Sequence, residues 1–165
     1  MASGGQRDHA ADTTTTQVIT SLIERGQTVA TAESMTAGAV CARLTSVAGA
    51  SAAVRGGLIV YATELKARLA GVDGELLRRH GPVHPEVATE LAGGAVTVCG
   101  ADWGLAVTGV AGPGPQDGIP SGTVHLAVAG PGVRAVRTLR SAADRAGVRA
   151  ASVAAAVELL REHLH

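Results

Sequence analysis

Short apolar segments alternate along this chain with segments of helical periodicity, and this alternation constrains the fold more than any other feature of the sequence. Strands that alternate with helices form a sheet covered by helices on both faces. The sequence therefore predicts an α/β protein, a single three-layer α/β/α domain. Strands are predicted over residues 27–32, 56–62, 104–110, 122–128 and 133–140, and helices over residues 15–25, 39–46, 63–70 and 144–163, with two more helices between Gly71 and Gly100.

The last two predicted strands are separated only by the Gly-Pro-Gly segment of residues 130–132. So short a connection joins antiparallel strands, because parallel strands need a crossover of a dozen or more residues. The sheet is therefore predicted to be mixed. Residues 1–14 are predicted to be a disordered leader and residues 15–163 to form the domain, with no second domain.

The composition limits the partners that this chain can have. It contains no Phe, one Trp and one Tyr, and its formal net charge is zero. Proteins that bind single-stranded nucleic acid need aromatic stacking surfaces and basic grooves, so a direct nucleic-acid partner is not expected. The N-terminal segment lacks the apolar run of a signal peptide, and no apolar run has the length of a membrane span. We therefore expect a cytoplasmic protein without a membrane partner.

Neither the histidines nor the cysteines suggest a metal site. His80 and His84 have the i, i+4 spacing of a helical metal pair, but the intervening Gly-Pro breaks the helix that such a pair requires. Cys41 and Cys99 are far apart and lack CxxC spacing, so both are predicted to be reduced thiols in the core.

The segment TAESMTAG, residues 31–38, places a serine where a predicted strand ends and the next helix begins. Open α/β sheets bind their ligands at such positions. If Ser34 attacks a carbonyl carbon, the backbone N–H groups of Met35 and Thr36 are candidates to hold the oxyanion. The alternative is that Ser34 only caps the helix, since serine is a preferred N-cap residue.

Lys66 is the only lysine among fourteen basic residues, and it lies close in sequence to Tyr61, the only tyrosine. Lysine can act as a base when burial lowers its pKa, whereas arginine keeps its proton. Lys66 is therefore a candidate base for Ser34, with Tyr61 relaying a proton or holding the amine. The alternatives are a solvated lysine on a short helix and a half-buried ring at a strand end.

Two further segments are candidates for anion binding. Residues 108–123 form a long connection rich in Gly and Pro, whose backbone N–H groups can approach an anion, although an ordinary turn-rich loop is an equal alternative. Arg145 and Arg149 lie four residues apart near the start of the last helix, where they are candidates for binding phosphate or carboxylate. The alternative is a solvated basic face.

The segments TAESMTAG, GGLIVYATELK, HGPVHPEVA, ADWGLAVTGVAGPG, PSGTV and DR, in this order, resemble the CinA C-terminal domain family, the nicotinamide-mononucleotide deamidases. The resemblance covers about residues 15–162. It implies a three-layer amidohydrolase that converts nicotinamide mononucleotide to nicotinic acid mononucleotide and ammonia without a metal or organic cofactor. One departure lies beside the serine, where the family usually has Thr-Gly-Gly and this chain has Thr36-Ala37-Gly38.

The resemblance also implies roles for individual residues. Ser34, Lys66 and Tyr61 match the family's catalytic positions. The positions implied for substrate binding are Met35, Thr36, Gly38, Thr108, Gly109, Gly112, Gly114 and Arg145.

Two other functions remain open at this stage. One is a catalytically silent module of this family that binds nucleotides or other proteins, and the other is a serine and lysine amidase for a different small amide. The alanine-rich helices would permit close packing in a homodimer.

Overall fold

The computed structural model describes residues 5–164 and the side chains of residues 13–164. Five strands form one sheet in the order β2-β1-β3-β4-β5. The strands are β1 (Val29–Glu33), β2 (Val54–Ile59), β3 (Trp103–Gly109), β4 (Thr123–Gly130) and β5 (Val133–Arg140), and the helices are α1 (Gly5–Glu24), α2 (Ala39–Thr45), α3 (Thr63–Ala70), α4 (Gly74–His80), α5 (Pro85–Cys99) and α6 (Arg145–His163), with one 3-10 turn at Ala50–Ala52.

The sheet is mixed, as the sequence predicted. Strand β1 pairs in parallel with both β2 and β3, whereas β4 is antiparallel to both β3 and β5. At the carboxyl end of β1, Glu33 is in register with Ile59 of β2 and Val107 of β3. The residues that follow these three therefore meet at one edge of the sheet, as in other open α/β folds.

The two faces of the sheet carry side chains of different size. Val29, Leu105 and Leu126 belong to the core under α1, α2 and α6, whereas Ala32, Ala106 and the other inward residues on the opposite face are mostly alanine. Helix α5 packs so closely there that a Cβ on Gly104 would lie 1.9 Å from the carbonyl oxygen of Ala92. Small residues, rather than aromatic rings, thus bring the α3–α5 layer against the sheet.

Trp103, the only tryptophan, lies at the end of the sheet opposite this edge. It is in register with Val29, the first residue of β1, and it is 4% exposed. Its indole Nε1 donates a hydrogen bond of 3.0 Å to the side-chain oxygen of Gln27. The indole is therefore buried with its one polar atom satisfied.

The first helix differs from its prediction. It begins at Gly5, not near Thr15, and so covers most of the stretch predicted as a leader. Once a helix is nucleated, each further residue adds one hydrogen bond, so a helix can extend beyond its apolar face. Residues 1–4 lie outside the described residues, and a disordered leader stays a prediction for them. The buried face of α1 contains Ile19, whereas Ile23 is 42% exposed.

The end of β2 also moved from its predicted position. The strand ends at Ile59, and the backbone N–H of Val60 still donates to the carbonyl oxygen of Glu33 at 2.9 Å before the chain turns into α3. Helix α3 has its predicted bounds, with Ala62 at the N-cap position and no side chain capping this end.

The cysteines are free thiols, but neither is in the core as predicted, because each is only half buried. Cys41 lies beside the buried face of the short helix α2, and Cys99 is the last residue of α5. Within residues 5–164, no helix is both long and apolar enough to cross a lipid bilayer.

Candidate active site

Ser34 directly follows β1 at the sheet edge where the parallel strands end. Its backbone N–H donates to the carbonyl oxygen of Val107 on β3, at 2.9 Å, which holds the residue in line with the sheet. Helix α2 begins at Ala39 with Gly38 as its N-cap, so Ser34 does not cap this helix. The helix-cap alternative is therefore excluded, and the Ser34 hydroxyl is available for another partner.

That partner is Lys66. The two residues come from different elements, β1 and α3, yet Lys66 Nζ lies 3.0 Å from Ser34 Oγ. Lys66 is only 1% exposed and is among the largest fully buried side chains in the described part of the chain. A solvated lysine on a short helix is excluded, and the predicted pairing of serine with lysine is present in the structure.

The other contacts of the Lys66 amine orient it toward the serine. Nζ also lies 2.8 Å from the carbonyl oxygen of Val60 and 3.3 Å from that of Tyr61. A neutral amine has two N–H bonds and one lone pair, and carbonyl oxygens can only accept. When the amine is neutral and donates its two N–H bonds to these carbonyls, its lone pair is directed at the Ser34 hydroxyl, which is the arrangement that a base requires. The ammonium form instead donates its third N–H to Ser34 Oγ.

The protonation equilibrium of Lys66 favours the same role. Burial lowers the pKa of Lys66 from 10.5 to about 8, and the nearby Glu64 carboxylate opposes this with a smaller upward effect. Desolvation acts on the charged form, so a buried ammonium loses its proton more readily than one in water. A substantial fraction of the amine is thus neutral in mildly alkaline solution.

Glu33 is a residue of the site that the sequence analysis missed. Its carboxylate is fully buried and accepts hydrogen bonds from the hydroxyl groups of Thr31 and Thr36 and from the backbone N–H groups of Gly38, Val40 and Cys41. It therefore occupies the N-terminus of α2, where an external anion would otherwise bind. The available signal was a glutamate at the end of a strand, four and five residues before the small residues Ala37 and Gly38, but the motif drew attention only to the serine.

The oxyanion donors expected from Met35 and Thr36 differ in accessibility. Across residues 13–164, neither backbone N–H has a hydrogen-bond acceptor. Met35 lines the cleft described below, whereas Thr36 is 0% exposed and does not. Of the two, only Met35 is at the cleft, so its N–H is the candidate oxyanion donor, and Thr36 instead secures the turn through its hydroxyl bond to Glu33.

Gly38 also differs from its expected role. Its N–H donates to Glu33, so it is not free for substrate. Its φ of 97° explains the glycine, because this left-handed conformation is disfavoured for other residues. Ala37 has a φ of 50° and is exposed outside the cleft.

Tyr61 does not contact the serine or the lysine through its phenol. The side chain is 59% exposed, and its hydroxyl accepts a hydrogen bond of 3.3 Å from Arg145. It is the backbone carbonyl of Tyr61 that contacts Lys66. The expectation that the Tyr61 phenol relays a proton or holds the amine is therefore wrong, because only a main-chain atom of Tyr61 contacts Lys66 and the ring lies at the mouth of the cleft.

A cleft of about 320 Å³ leads from Ser34 and Lys66 to the surface. Arg145 lies at its mouth, at the start of α6, and also donates to the carbonyl oxygen of Gly112 at 2.9 Å. The predicted residues that line the cleft are Ser34, Met35, Tyr61, Lys66, Thr108, Gly109, Gly112, Gly114 and Arg145. Pro82, Val83 and Gln116 line it as well, and the sequence analysis did not select them.

Thr108 lines the cleft but its hydroxyl is already engaged. It donates to the carbonyl oxygen of Pro82 at 2.8 Å, which ties β3 to the segment between α4 and α5. The rings of His80 and His84, on either side of Pro82 in sequence, stack at a centroid distance of 4.3 Å. In the part of the chain that the structure describes, no group of three or more histidine, cysteine or acidic residues is placed to hold a metal ion.

Comparisons with known proteins agree with this architecture. Solved structures that it resembles include a competence/damage inducible protein, CihA, from Agrobacterium tumefaciens, with a TM-score of 0.88 and 34% identity over 93% of this chain and 94% of that one. A CinA superfamily protein from Klebsiella pneumoniae gives a TM-score of 0.89 and 35% identity over 93% of this chain and 97% of that one.

Sequence relatives are similar over one part of their length. A CinA-like protein of Frankia casuarinae is 47% identical over 143 residues, which are 87% of this chain and 33% of the relative. One from Anaeromyxobacter dehalogenans is 48% identical over 147 residues, 87% of this chain and 36% of the relative. The chain thus spans about a third of the length of these curated relatives. The model of the CinA C-terminal domain matches residues 11–164, and the chain belongs to this family.

Proposed function

We propose that this chain is an amidohydrolase that converts nicotinamide mononucleotide to nicotinic acid mononucleotide and ammonia. The observation that carries the proposal is the 3.0 Å contact between Ser34 Oγ and the buried Nζ of Lys66. A hydroxyl in contact with a neutral amine is an activated nucleophile beside its base. The choice of substrate rests on the resemblance of the motifs to the nicotinamide-mononucleotide deamidases.

In the first half of the reaction, Ser34 Oγ attacks the carboxamide carbon while Lys66 Nζ takes the hydroxyl proton. The carbonyl oxygen becomes an oxyanion, for which the Met35 N–H is the available donor in the cleft. When the intermediate collapses, the C–N bond breaks and Lys66 returns the proton to the leaving nitrogen, so that ammonia departs and an acyl ester remains on Ser34.

In the second half, water attacks the ester carbon and Lys66 accepts one of its protons. The C–O bond to Ser34 then breaks, the serine oxygen recovers a proton from Lys66, and the carboxylic acid product leaves. Both halves need Lys66 to alternate between neutral and protonated forms. A pKa of about 8 suits this alternation, because the amine is then neither permanently charged nor a negligible acid.

Recognition of the phosphate is assigned to the open end of the cleft. The Arg145 guanidinium is exposed there and has donors beyond its bonds to Gly112 and Tyr61. Arginine recognises phosphate through paired N–H donors. The N-terminus of α2 cannot serve, since Glu33 occupies it.

Ammonia release from nicotinamide mononucleotide, followed with a coupled assay, tests the proposal. We expect turnover by the wild type, less than about a thousandth of it with Ser34→Ala, and mass-spectrometric trapping of an acyl group on Ser34 in the wild type only. The exposed Ser51, changed to alanine, is the matched control and should have wild-type activity.

The competing function is a silent binding module. It would give saturable binding of the mononucleotide with no ammonia from the wild type. An active enzyme for another amide would instead leave the mononucleotide unchanged but release ammonia from a different carboxamide in a Ser34-dependent manner. Either result would overturn the proposed substrate.

A further inference from the structure

Arg149 makes contacts that its sequence position did not predict. It lies four residues after Arg145 on α6, where phosphate binding or simple solvation was expected. Its guanidinium is instead part-buried, with Nε 3.1 Å from the carbonyl oxygen of Met35 and Nη2 3.3 Å from that of Thr36. It does not line the cleft. Two arginines on one helix therefore serve different partners.

The Met35 carbonyl depends on this arginine. Across the residues whose side chains are described, Met35 O accepts from no other group, whereas Thr36 O also accepts from the backbone N–H of Ala39. Met35 is only 4% exposed, so water cannot easily replace the guanidinium. A buried carbonyl that loses its only donor is costly, and its peptide group will rotate or the turn will shift to find another.

The turn that contains these carbonyls also carries the nucleophile. Ser34 and Ala37 close it with a backbone hydrogen bond of 3.1 Å, and Ala37 lies in the left-handed region with a φ of 50°. Glu33 binds the N–H groups on one side of the turn, and Arg149 binds the carbonyls on the other. A conformation with a disfavoured residue persists only where the surroundings fix it.

The form of the contact explains why this residue is an arginine. Two adjacent carbonyls are bound by two different nitrogens of one planar group, which the single ammonium of lysine cannot reproduce. An aliphatic or amide side chain at position 149 would leave at least one carbonyl without its donor.

We propose that Arg149 is a positioning residue for the nucleophile: it holds the turn so that Ser34 Oγ stays against Lys66 Nζ and the Met35 N–H faces the cleft. Displacements of about 1 Å at a reacting group can cost up to a hundredfold in rate. Because Glu33 and the Ser34–Ala37 bond still hold the turn, we expect a smaller loss, of about tenfold. The inference uses the proposed serine nucleophile but not the proposed substrate.

The test compares Arg149→Gln and Arg149→Lys with the wild type in the full chain. The first readout is acylation of Ser34 by p-nitrophenyl acetate, in which an ester bond to Oγ forms and p-nitrophenolate leaves. The second readout is the Kd of nicotinic acid mononucleotide. We expect Arg149→Gln to acylate about tenfold more slowly, Arg149→Lys to recover only part of the rate, and the Kd to stay within about twofold in both. Arg161→Gln, at the exposed far end of the same helix, is the matched control.

Any one of three results would overturn the inference. Equal acylation rates in Arg149→Gln and the wild type would show that the turn does not need Arg149, and a parallel tenfold loss in mononucleotide affinity would show a ligand contact instead. Amide hydrogen exchange at residues 35–38 can be measured without any reaction at Ser34. Unchanged exchange in Arg149→Gln would also refute the inference. Acylation of the wild type without ammonia release would count against the proposed substrate alone.

Discussion

The two ends of the cleft are built on different principles. At the inner end, Ser34 and Lys66 are 8% and 1% exposed, and backbone groups fix both. At the outer end, Tyr61, Arg145 and the loop at Gly114 are exposed, and their mutual contacts are few. The protein therefore sets the protonation and orientation of the inner groups itself, whereas the outer groups acquire most of their partners only when a ligand arrives.

The largest effect is expected from placing a permanent cation at the inner end. Lys66→Arg keeps the charge and much of the length but removes the ability to lose a proton, since a guanidinium stays protonated. We expect ammonia release to fall by at least about a thousandfold. The matched control is Arg68→Lys, on the exposed side of the same helix, which should leave the rate unchanged. A Lys66→Arg enzyme within tenfold of the wild type would remove Lys66 as the base.

The buried charged form of Lys66 should also lower the free energy of unfolding, and Lys66→Met tests this. Between the folded pKa of about 8 and the ordinary 10.5, the unfolded chain binds more protons than the folded one, so the stability of the wild type rises with pH in this window. Across this pH window, the free energy of unfolding of the wild type should rise by on the order of 3 kcal/mol relative to that of Lys66→Met. Urea unfolding at a series of pH values measures this difference, and a difference that does not change with pH would contradict a buried, desolvated ammonium.

The pH dependence of the reaction should show the same group. Because only the neutral amine accepts the serine proton, kcat/KM should rise with pH and level off above a pKa of about 8, a change of about 50-fold between pH 6 and pH 8. The Glu64 carboxylate raises the pKa of Lys66, so Glu64→Gln should move the rising limb to lower pH. A profile without a limb in this region, or a shift in the opposite direction, would argue against the assignment.

A smaller and more selective effect is expected at the outer end. Arg145→Gln should raise KM for the mononucleotide by about tenfold and change kcat little, because an exposed arginine contributes binding energy rather than chemistry. The corresponding riboside, which lacks the phosphate, is the control substrate and should not distinguish the variant from the wild type. Equal losses on both substrates would show that Arg145 maintains the cleft through Gly112 and Tyr61 instead.

The smallest effect is expected beside the inner end, at Ala37. Its φ of 50° costs a non-glycine residue about 1 kcal/mol, part of which the flexibility of glycine in the unfolded chain offsets. Ala37→Gly should therefore raise the free energy of unfolding by less than about 1 kcal/mol. Thermal unfolding measures this change. The control is Ala48→Gly at another exposed position, which should lower the stability of the protein. A destabilised Ala37→Gly variant would mean that the Ala37 methyl group makes contacts that stabilise the folded state.

The sequence was sufficient to predict a mixed sheet and to identify the two central residues of the site. The mixed sheet followed from a connection too short for a crossover, and β5 was predicted with its observed bounds, Val133–Arg140. The pairing of Ser34 with Lys66 followed from chemistry, since a base must be able to lose a proton, and from the family resemblance. Both predictions depend on a local pattern or on residue types, and a single sequence contains that information.

The remaining contacts depend on geometry that no local pattern encodes. Whether Tyr61 meets Lys66 through its ring or its carbonyl is decided by how β2 turns into α3. Arg149 reaches Met35 across more than a hundred residues of chain, and Glu33 was not noticed because a glutamate at a strand end is unremarkable until five donors are seen to converge on it. Such long-range hydrogen bonds require the tertiary structure.

The placement of Trp103 has a practical consequence for optical measurements. The only indole is buried at one end of the sheet, beside Gln27, and the only phenol, on Tyr61, stands at the mouth of the cleft near the other end. Tryptophan emission should therefore follow unfolding of the domain, while tyrosine absorbance and emission should respond to a ligand at Arg145. One unlabelled sample thus carries two chromophores, one for the fold and one for occupancy of the cleft.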